Sequence, residues 1–220
     1  MKICLVSVSI FMLMMSCSSE SAEEYCQKGN KLSENYNWEE AITMYDKALE
    51  KDPTYVSALV YRGFAKAMGL EQLQEGIADL ESVLDLHSND VGTLYITGFI
   101  YGDHQKHQKA LPYLRKALKA KKAALANSSK KESNTTLTID INEIHYELGL
   151  QYVRVEDFEK AIVHLKTCIA EKSHLRDSYF LRGEAYAGLQ NFDAACNDFT
   201  ESVRLGDVMA SEMQLKYCRD

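Results

Sequence analysis

Proline is scarce in this chain of 220 residues, which contains only two, Pro53 and Pro112. Because proline interrupts helices, so low a content favours a helical fold over one made of short strands and turns. The composition is otherwise that of a folded protein, with 46% hydrophobic and 26% charged residues. We therefore expect an all-helical globular chain.

Positive charge is also in short supply. The chain carries 25 Lys and Arg against 32 Asp and Glu, which gives a formal net charge of −7. Proteins that bind nucleic acid gain much of their affinity from Lys and Arg side chains that neutralise phosphates. Because this chain lacks that excess, we expect no nucleic-acid partner.

Motifs that carry catalysis are missing as well. The sequence has no glycine-rich phosphate loop after a strand, no Gly-x-Ser-x-Gly, and no pair of carboxylates that stands out from the surface acids. His104 and His107 lie three residues apart, but no further ligands follow at zinc-like spacing. We therefore expect neither an enzyme nor a metal site, and the sequence points to no cofactor and no small-molecule substrate.

The first sixteen residues have the pattern of an export signal rather than of a folded element. Lys2 precedes an apolar run over 3–15, and Ser16-Cys17 follows it. The run is shorter than the roughly 20 residues that a membrane-spanning helix needs. We predict a signal peptide over 1–16 that is removed on export.

The end of this segment, Met14-Met15-Ser16-Cys17, resembles the lipobox of bacterial lipoproteins, in which cleavage exposes a cysteine that carries acyl chains. The resemblance implies lipid such as palmitate on Cys17, followed by a polar tether over 17–21. It also implies a lipid-anchored location at the bacterial cell envelope. Ser18 next to the cysteine favours the outer membrane, on either its periplasmic or its surface face. The alternative is an ordinary secretory signal with a chance cysteine.

From residue 22 onward the sequence repeats itself. Glycine recurs at steps of 34, 35, 51 and 34 residues, and three further columns follow it in the same register. The glycines are Gly29, Gly63, Gly98, Gly149 and Gly183; small residues follow at Ala41, Gly76, Ala110, Ala161 and Ala195, bulky ones at Tyr45, Leu80, Leu114, Leu165 and Phe199, and a second, mostly small set at Ala48, Val83, Ala117, Cys168 and Ser202. Two antiparallel helices and their turns use about 34 residues, so each period predicts one helix pair that is stable only against its neighbours.

These columns resemble the signature of the tetratricopeptide family. The first period shows it most completely, with Gly29-Asn30, Ala41-Ile42, Tyr45, Ala48-Leu49 and Asp52-Pro53, whereas the second has one extra residue in its turn. The resemblance implies a right-handed α-solenoid of five helix pairs and a non-catalytic scaffold that binds a peptide or protein in a concave groove. The five repeats are expected over 22–55, 56–90, 91–125, 142–175 and 176–206.

The 51-residue step predicts an insertion around 126–141. Its centre, over 127–138, is polar and without apolar periodicity, so we expect a loop that follows an extended helix. Seven Lys and Arg residues between 115 and 131 form the one basic region. We interpret them as solvated cations, with contact to an acidic lipid or partner as the alternative. At the far end, Gly206 and Asp207 predict a helix stop and an N-cap, and hence a capping helix over 207–220.

Four cysteines remain after Cys4 and Cys17 are set aside. Cys168 stands in a small core column, which predicts a buried thiol. Cys196 stands in the column that faces the next helix along, and for the last repeat that is the capping helix with Cys218. We hypothesise a Cys196–Cys218 disulfide, with two free thiols as the alternative.

In the tetratricopeptide family the first helices of successive pairs line the groove, at positions three residues before and one after each column glycine. Here this rule gives ten positions, of which seven are the candidate partner residues: Asn30, Val60, Phe64, Tyr95, Phe99, Tyr146 and Phe180; the other three are Cys26, Leu150 and Glu184. Relatives that clamp a C-terminal carboxylate use Lys and Arg there, which these positions lack. The aromatic row instead suits a peptide with apolar anchors. The alternative is that the rings pack between repeats.

The leading interpretation is an interaction scaffold whose partner is a peptide segment of another envelope protein. A more specific alternative is a component of outer-membrane β-barrel or pilus assembly machinery, which the resemblance also implies. A second alternative is an envelope enzyme or a glycan-binding protein, although no residue of the sequence points to either.

Overall fold

The computed structural model describes residues 20–127 and 137–218. In these two ranges the chain forms helices and no strand. The α-helices, numbered α1 to α11 in chain order, are Ala22–Ser33, Trp38–Lys51, Val56–Phe64, Leu73–Leu86, Val91–Asp103, His107–Ala126, Ile141–Arg154, Phe158–Ala170, Leu175–Gly188, Phe192–Arg204 and Val208–Tyr217. The predicted signal peptide over 1–16, Cys17 and most of the polar loop lie outside the described residues.

Consecutive helices form five pairs, and each pair packs on the next. Within the pairs, α1 packs on α2, α3 on α4, α5 on α6, α7 on α8 and α9 on α10. Between the pairs, α2 contacts α3, α4 contacts α5, α6 contacts α7 and α8 contacts α9, while α11 packs on α10. The described part of the chain is therefore an all-α solenoid of five helix pairs with one terminal helix, which confirms the predicted fold class.

The column glycines allow the two helices of a pair to approach closely. A Cβ atom on Gly29 would lie 2.4 Å from the ring of Tyr45, and one on Gly183 would lie 2.7 Å from the ring of Phe199. The bulky residue of the second helix thus rests directly on the backbone of the first. In the second pair, a Cβ on Gly63 would lie 2.7 Å from the carbonyl oxygen of Gly76, because both columns hold glycine there.

The bulky column forms the centre of the core throughout the stack. All five of its members are at most 1% exposed: Tyr45, Leu80, Leu114, Leu165 and Phe199. Full burial of a side chain of this size contributes about 1.5–3 kcal/mol. The two larger core clusters meet at α5, whose Tyr95 and Tyr101 pack against both. The pairs therefore share one continuous core, as a solenoid requires.

The extra residue of the second period lies in a helix rather than in a turn. Residues Ala65–Gly69, which continue α3, form a π-helical turn, which accommodates one more residue per turn than an α-helix. The carbonyl oxygen of Ala67 accepts a hydrogen bond from Nε2 of His104, at 2.9 Å. A side chain of the third pair thus donates a hydrogen bond to a carbonyl of this π-helical turn. The connection from this turn to α4 is short.

The turn inside every pair has the same backbone conformation. Two residues before each second helix, one non-glycine residue has a φ between 56° and 60°. These residues are Tyr36, Glu71, Gln105, Glu156 and Gln190. Because L-residues other than glycine rarely adopt this left-handed region, each turn carries a small conformational cost.

The last helix, α11, is fixed at both of its ends. At its N-terminus, the side chain of Asp207 accepts hydrogen bonds from the backbone N–H groups of Met209 and Ala210, and Gly206 before it has a φ of 93°. At its C-terminus, Cys218 is bonded to Cys196 of α10 in a disulfide, with a Cα–Cα distance of 5.4 Å. Tyr217 stacks on Phe199 between these two points.

Candidate functional site

The predicted groove residues lie on the first helices of the pairs, α1, α3, α5, α7 and α9. Six of the seven retain partial exposure: Asn30, Phe64, Tyr95, Phe99, Tyr146 and Phe180. Val60 does not, because its exposed fraction is 0%. The placement of Val60 in the groove was therefore wrong. Because α3 packs against α5, Val60 lies in the core cluster that also contains Ile96 and Ile100.

The N-terminal half of the groove contains a cavity of about 400 Å³, which we call the aromatic pocket. Its lining comes from three helix pairs and one connection: Asn30, Ser33, Glu34, Trp38, Tyr45, Tyr61, Phe64, Ile96 and Leu137. Trp38 and Phe64 meet edge to face, with ring centroids 6.4 Å apart. The pocket is therefore mainly apolar and partly aromatic, with a polar rim contributed by α1.

The polar rim of the aromatic pocket is organised by Tyr45. Its hydroxyl donates to Oδ1 of Asn30 at 2.9 Å and lies 3.0 Å from Oγ of Ser33. Burial raises the pKa of Tyr45 to about 12. The phenol therefore stays neutral at physiological pH and holds the Asn30 side chain in place.

Leu137, which follows the polar loop, is a pocket residue that the sequence reasoning missed. A Cβ atom on Gly92 would lie only 3.1 Å from the Cβ of Leu137 and 3.2 Å from its carbonyl oxygen. Leu137 also packs against the first core cluster. A segment without helical structure therefore already inserts an aliphatic side chain beside the pocket. The one available signal was that Leu137 is the only apolar residue between 127 and 138.

The remaining groove rings rest on the core with one face. Tyr95 stacks on Phe99 with centroids 6.4 Å apart, and Phe180 lies 6.1 Å from the buried Phe199. Tyr146 stacks on the ring of His174 at 4.4 Å. Each of these groove rings is partly buried rather than fully enclosed. The groove and packing interpretations of the aromatic row are thus compatible, since one ring can serve both.

Carboxylates accompany the rings in the C-terminal half of the groove. Glu147 is 5% exposed, and burial raises its pKa. One of its oxygens accepts from Nε2 of Gln151 at 2.7 Å, and the amide oxygen of Gln151 accepts from Nδ1 of His107 at 2.7 Å. Gly102 leaves room for this chain, because a Cβ there would lie 2.3 Å from the Gln151 nitrogen.

Glu184 of α9 is the least satisfied acid of the groove. Its Oε2 is buried and has no hydrogen-bond partner. The nearest cation is Arg154, whose Nη1 lies 3.9 Å from that oxygen. Burial raises the pKa of Glu184, and the charge of Arg154 only partly offsets this effect. Glu184 is thus a partly exposed groove acid whose charge the chain compensates only in part.

The histidines do not assemble a metal site. His104 and His107 contact Ala67 and Gln151 respectively, so they do not face each other. His145 and His164, on α7 and α8, lie with their Nδ1 atoms 2.9 Å apart. Among the described residues no group of three or more His, Cys, Asp or Glu side chains is placed to hold a metal ion.

A second cavity, of about 370 Å³, lies between α6 and the segment 137–139. The basic residues Lys116, Lys119 and Lys121 line it together with apolar side chains that include Leu137 and Ile139. α6 has 20 residues, against 13 in α8, so this wall of the cavity extends beyond the neighbouring pairs. The basic region therefore lies beside the returning segment.

The cysteines fall into two groups. Cys26 and Cys168 are buried free thiols, and burial raises the pKa of each to about 11. Neither is therefore activated as a nucleophile. Cys196 and Cys218 form the disulfide described above, while the proposed lipid attachment at Cys17 lies outside the described residues. No helix in the described ranges combines the length and the hydropathy needed to cross a membrane.

The model of the tetratricopeptide repeat family matches residues 177–205, which cover most of α9 and all of α10. Solved structures extend the likeness over most of the chain. MamA shares 23% identity and has a TM-score of 0.65, with 90% of this chain and 96% of that chain covered. YrrB, described as a protein of this repeat type with an unusual peptide-binding site, shares 21% identity at a TM-score of 0.68, with 89% and 92% covered. The fold is a tetratricopeptide-type solenoid.

A third structure of this fold is PilW, described as a widely conserved type IV pilus biogenesis factor. It shares 14% identity with this chain and has a TM-score of 0.64, with 82% of this chain and 76% of that chain covered. A search of the curated proteins gave no significant match. Because the identities are below 25%, these likenesses establish the fold alone.

Proposed function

We propose that this protein is a non-catalytic scaffold that binds a peptide segment of another protein in its concave groove. The aromatic pocket is the observation that carries this proposal. It combines partly exposed rings with a cavity of about 400 Å³, a size and lining suited to an apolar side chain. Leu137 supports this mode of binding, because an aliphatic side chain from a non-helical segment lies in the wall of the pocket.

The chemistry of the groove supports recognition rather than catalysis. The buried thiols have raised pKa values, and His104 and His107 are engaged in hydrogen bonds within the fold. The rings of Phe64, Tyr95 and Phe99 offer large contact areas at low entropic cost, as recognition surfaces require. YrrB, which has the same fold, has a peptide-binding site, and this agrees with the proposal.

The decisive experiment places a photo-crosslinking amino acid at position 99 in the groove, in cells, and identifies adducts by mass spectrometry. A matched variant carries it at position 163 on α8, where Val163 is 63% exposed. A peptide-binding groove yields a defined adduct from position 99 alone. Loss of affinity capture of that partner by the triple variant Phe64→Ala, Tyr95→Ala, Phe99→Ala, which carries no crosslinker, would support the groove as the site. Equal adducts from both positions would reject it.

We further propose that the protein acts at the bacterial envelope, anchored by acyl chains on Cys17 in the outer membrane. The proposal rests on the lipobox-like segment that ends at Cys17, and two or more acyl chains would be needed for stable anchoring. Labelling with a palmitate analogue should mark the wild-type protein and not the Cys17→Ser variant. Equal labelling of the two would exclude acylation at this residue.

A second candidate function is assembly of pili or of outer-membrane β-barrels. The likeness to PilW, a pilus biogenesis factor, favours the first of these. Affinity purification of the lipidated protein should then recover pilus or barrel-assembly subunits, and the triple groove variant should lose them. Recovery of unrelated envelope proteins alone would reject the role in pilus or β-barrel assembly, while the general scaffold function would stand.

A further inference from the structure

The groove has a higher proportion of acidic residues than the chain as a whole. On each first helix, the residues six and three before the column glycine, and one, four and five after it, share one side because their spacing follows the helical repeat. Some members of this set, such as Val60, are covered by the neighbouring helix pair. On α1, three of these positions (Asn30, Ser33 and Glu34) do line the aromatic pocket. We call this set the groove face.

Acids dominate the groove face. Its charged residues are the acids Glu23, Glu34, Asp103, Glu143, Asp177 and Glu184 and the single base Arg154. The ratio is six to one, whereas the whole chain has 32 acidic residues to 25 basic ones. A surface of one sign attracts partners of the other sign and repels those of its own.

Two of these carboxylates lie close enough to the groove rings to affect their ionisation. Burial first, and then the charges of Glu147 and Glu143, raise the pKa of Tyr95. Burial first, and then the charge of Asp177, raises the pKa of Tyr146 to about 12. The negative charge is therefore part of the aromatic surface and not only of the outer rim.

Two buried acids of the stack, Asp79 and Asp198, are paired with cations within the chain. Asp198 receives two hydrogen bonds of 2.7 Å from Arg182, and Asp79 receives two, of 2.6 and 2.8 Å, from Arg62. Glu184 of the groove lacks such a partner, since Arg154 lies 3.9 Å away and the buried oxygen accepts no hydrogen bond. Asp79 and Asp198 thus have close Arg partners, Glu143 of the groove face is bonded to Nε2 of His174 at 2.8 Å, and Glu184 has neither.

We propose that the groove selects a basic peptide segment, in which Lys or Arg side chains meet Glu143 and Glu184 while apolar side chains occupy the aromatic pocket. Lys and Arg suit this surface doubly, because their aliphatic stems pack on rings while their charged ends reach carboxylates. This inference rests on the proposed function, and it adds the chemical class of the partner. It is the opposite of a groove that clamps an acidic terminus.

The test uses three synthetic peptides of 12 residues that share the same Leu and Phe positions. The intervening residues are all Lys, all Gln or all Glu. Trp38 is the only tryptophan of the chain and lines the aromatic pocket, so its fluorescence reports binding at that place. The Lys peptide should bind about tenfold more tightly than the Gln peptide, and the Glu peptide more weakly still.

Two matched variants separate groove charge from overall charge. Glu143→Gln with Glu184→Gln should weaken binding of the Lys peptide about fivefold and reduce its dependence on salt. Glu50→Gln with Glu159→Gln changes the net charge equally at exposed positions of second helices, and should alter the affinity less than twofold. Circular dichroism checks that all four substitutions preserve the helices.

The outcomes distinguish this inference from the proposed function. Equal binding of all three peptides, with a Trp38 response, would overturn the preference for basic partners while the groove function stands. Equal weakening by both double variants would also overturn it, because attraction would then be a property of net charge. Failure of every peptide to bind, by fluorescence and by calorimetry, would contradict both.

Discussion

The two halves of the groove are built on the same core and differ in chemistry. In the N-terminal half, Trp38, Phe64 and Leu137 surround an apolar pocket. In the C-terminal half, carboxylates such as Glu147 and Glu184 accompany Tyr146 and are partly or fully withdrawn from water. Beneath both halves, a glycine on the first helix accommodates a bulky residue on the second. The fold therefore depends on the glycine and bulky columns, and the positions beside them that line the groove can differ in chemistry from one half to the other.

The largest expected effect is on the shared core. Leu165→Ala removes a fully buried side chain that packs on Gly149, and should lower the free energy of unfolding by about 2–5 kcal/mol. Leu150→Ala, at a partly exposed groove position on the same pair of helices, should cost clearly less. Urea denaturation measures both. Equal losses would mean that groove and core positions are not energetically distinct.

A second prediction compares one ion pair that occurs in both halves. Asp198→Ala leaves Arg182 without a close partner and should destabilise the fold by about 3 kcal/mol. Asp79→Ala, at the equivalent place in the second pair, removes the contacts of Asp79 to both Arg62 and Lys66. It should still cost less, because Arg62 keeps Asp46 at 2.6 Å. Thermal and urea denaturation of the two variants test this order. The reverse order would show that the additional contact to Asp46 does not compensate.

A third prediction concerns pH and the C-terminal half. Burial, the neighbouring His145 and Lys122 lower the pKa of His164 from 6.5 to about 4, and burial and Lys122 lower that of His145. The folded state therefore favours the neutral rings. As the pH falls from 6.5 towards 4, the unfolded chain binds protons that the folded chain does not, so stability declines.

The expected loss over this range is about 1–2 kcal/mol, with allowance for solvent screening. His164→Gln should remove a large part of the decline in stability between pH 6.5 and 4. Above pH 7 it should have little influence on how stability changes with pH. Melting temperatures recorded between pH 4 and 8 provide the measurement. An unchanged profile in the variant would assign the acid sensitivity to other groups.

The smallest expected effect is on the turns, where the two halves are alike. Tyr36 in the first pair and Glu156 in the fourth both have a φ of 60°. Replacement of either by Gly should raise the free energy of unfolding by about 0.5–1 kcal/mol, because glycine adopts this conformation without steric strain. Differential scanning calorimetry should show the smaller gain at position 36, because the ring of Tyr36 also meets Trp38 edge to face at 5.8 Å. A loss at one site would indicate that its side chain makes a stabilising contact.

The fold was predictable because its determinants repeat along the chain. The columns of glycine, small and bulky residues recur at helical spacing, and this spacing predicts which faces of the two helices in a pair pack together. A periodic pattern cannot specify contacts between distant segments. The burial of Val60 by α5, the return of Leu137 to the pocket and the bond from His104 to Ala67 all depend on such contacts.

The groove was predictable in position and only partly in character. The aromatic residues were visible because they recur at fixed distances from the glycines. The hydrogen-bonded chain of Glu147, Gln151 and His107 was not, because its three members come from two helix pairs. Its physical trace in the sequence is Gly102, whose missing side chain provides the space for Gln151.

The disulfide between Cys196 and Cys218 makes the two ends of the stack unequal. In a solenoid each unit is held by its neighbours, so loss of structure starts where a neighbour is missing. At the C-terminal end a covalent bond closes that route. At the N-terminal end, α1 begins with a hydrogen-bonded cap formed by Ser21 and Glu24. Among the described residues, the aromatic pocket beside Trp38 therefore lies in the half of the stack that is held by noncovalent contacts, and the covalent link lies in the other half.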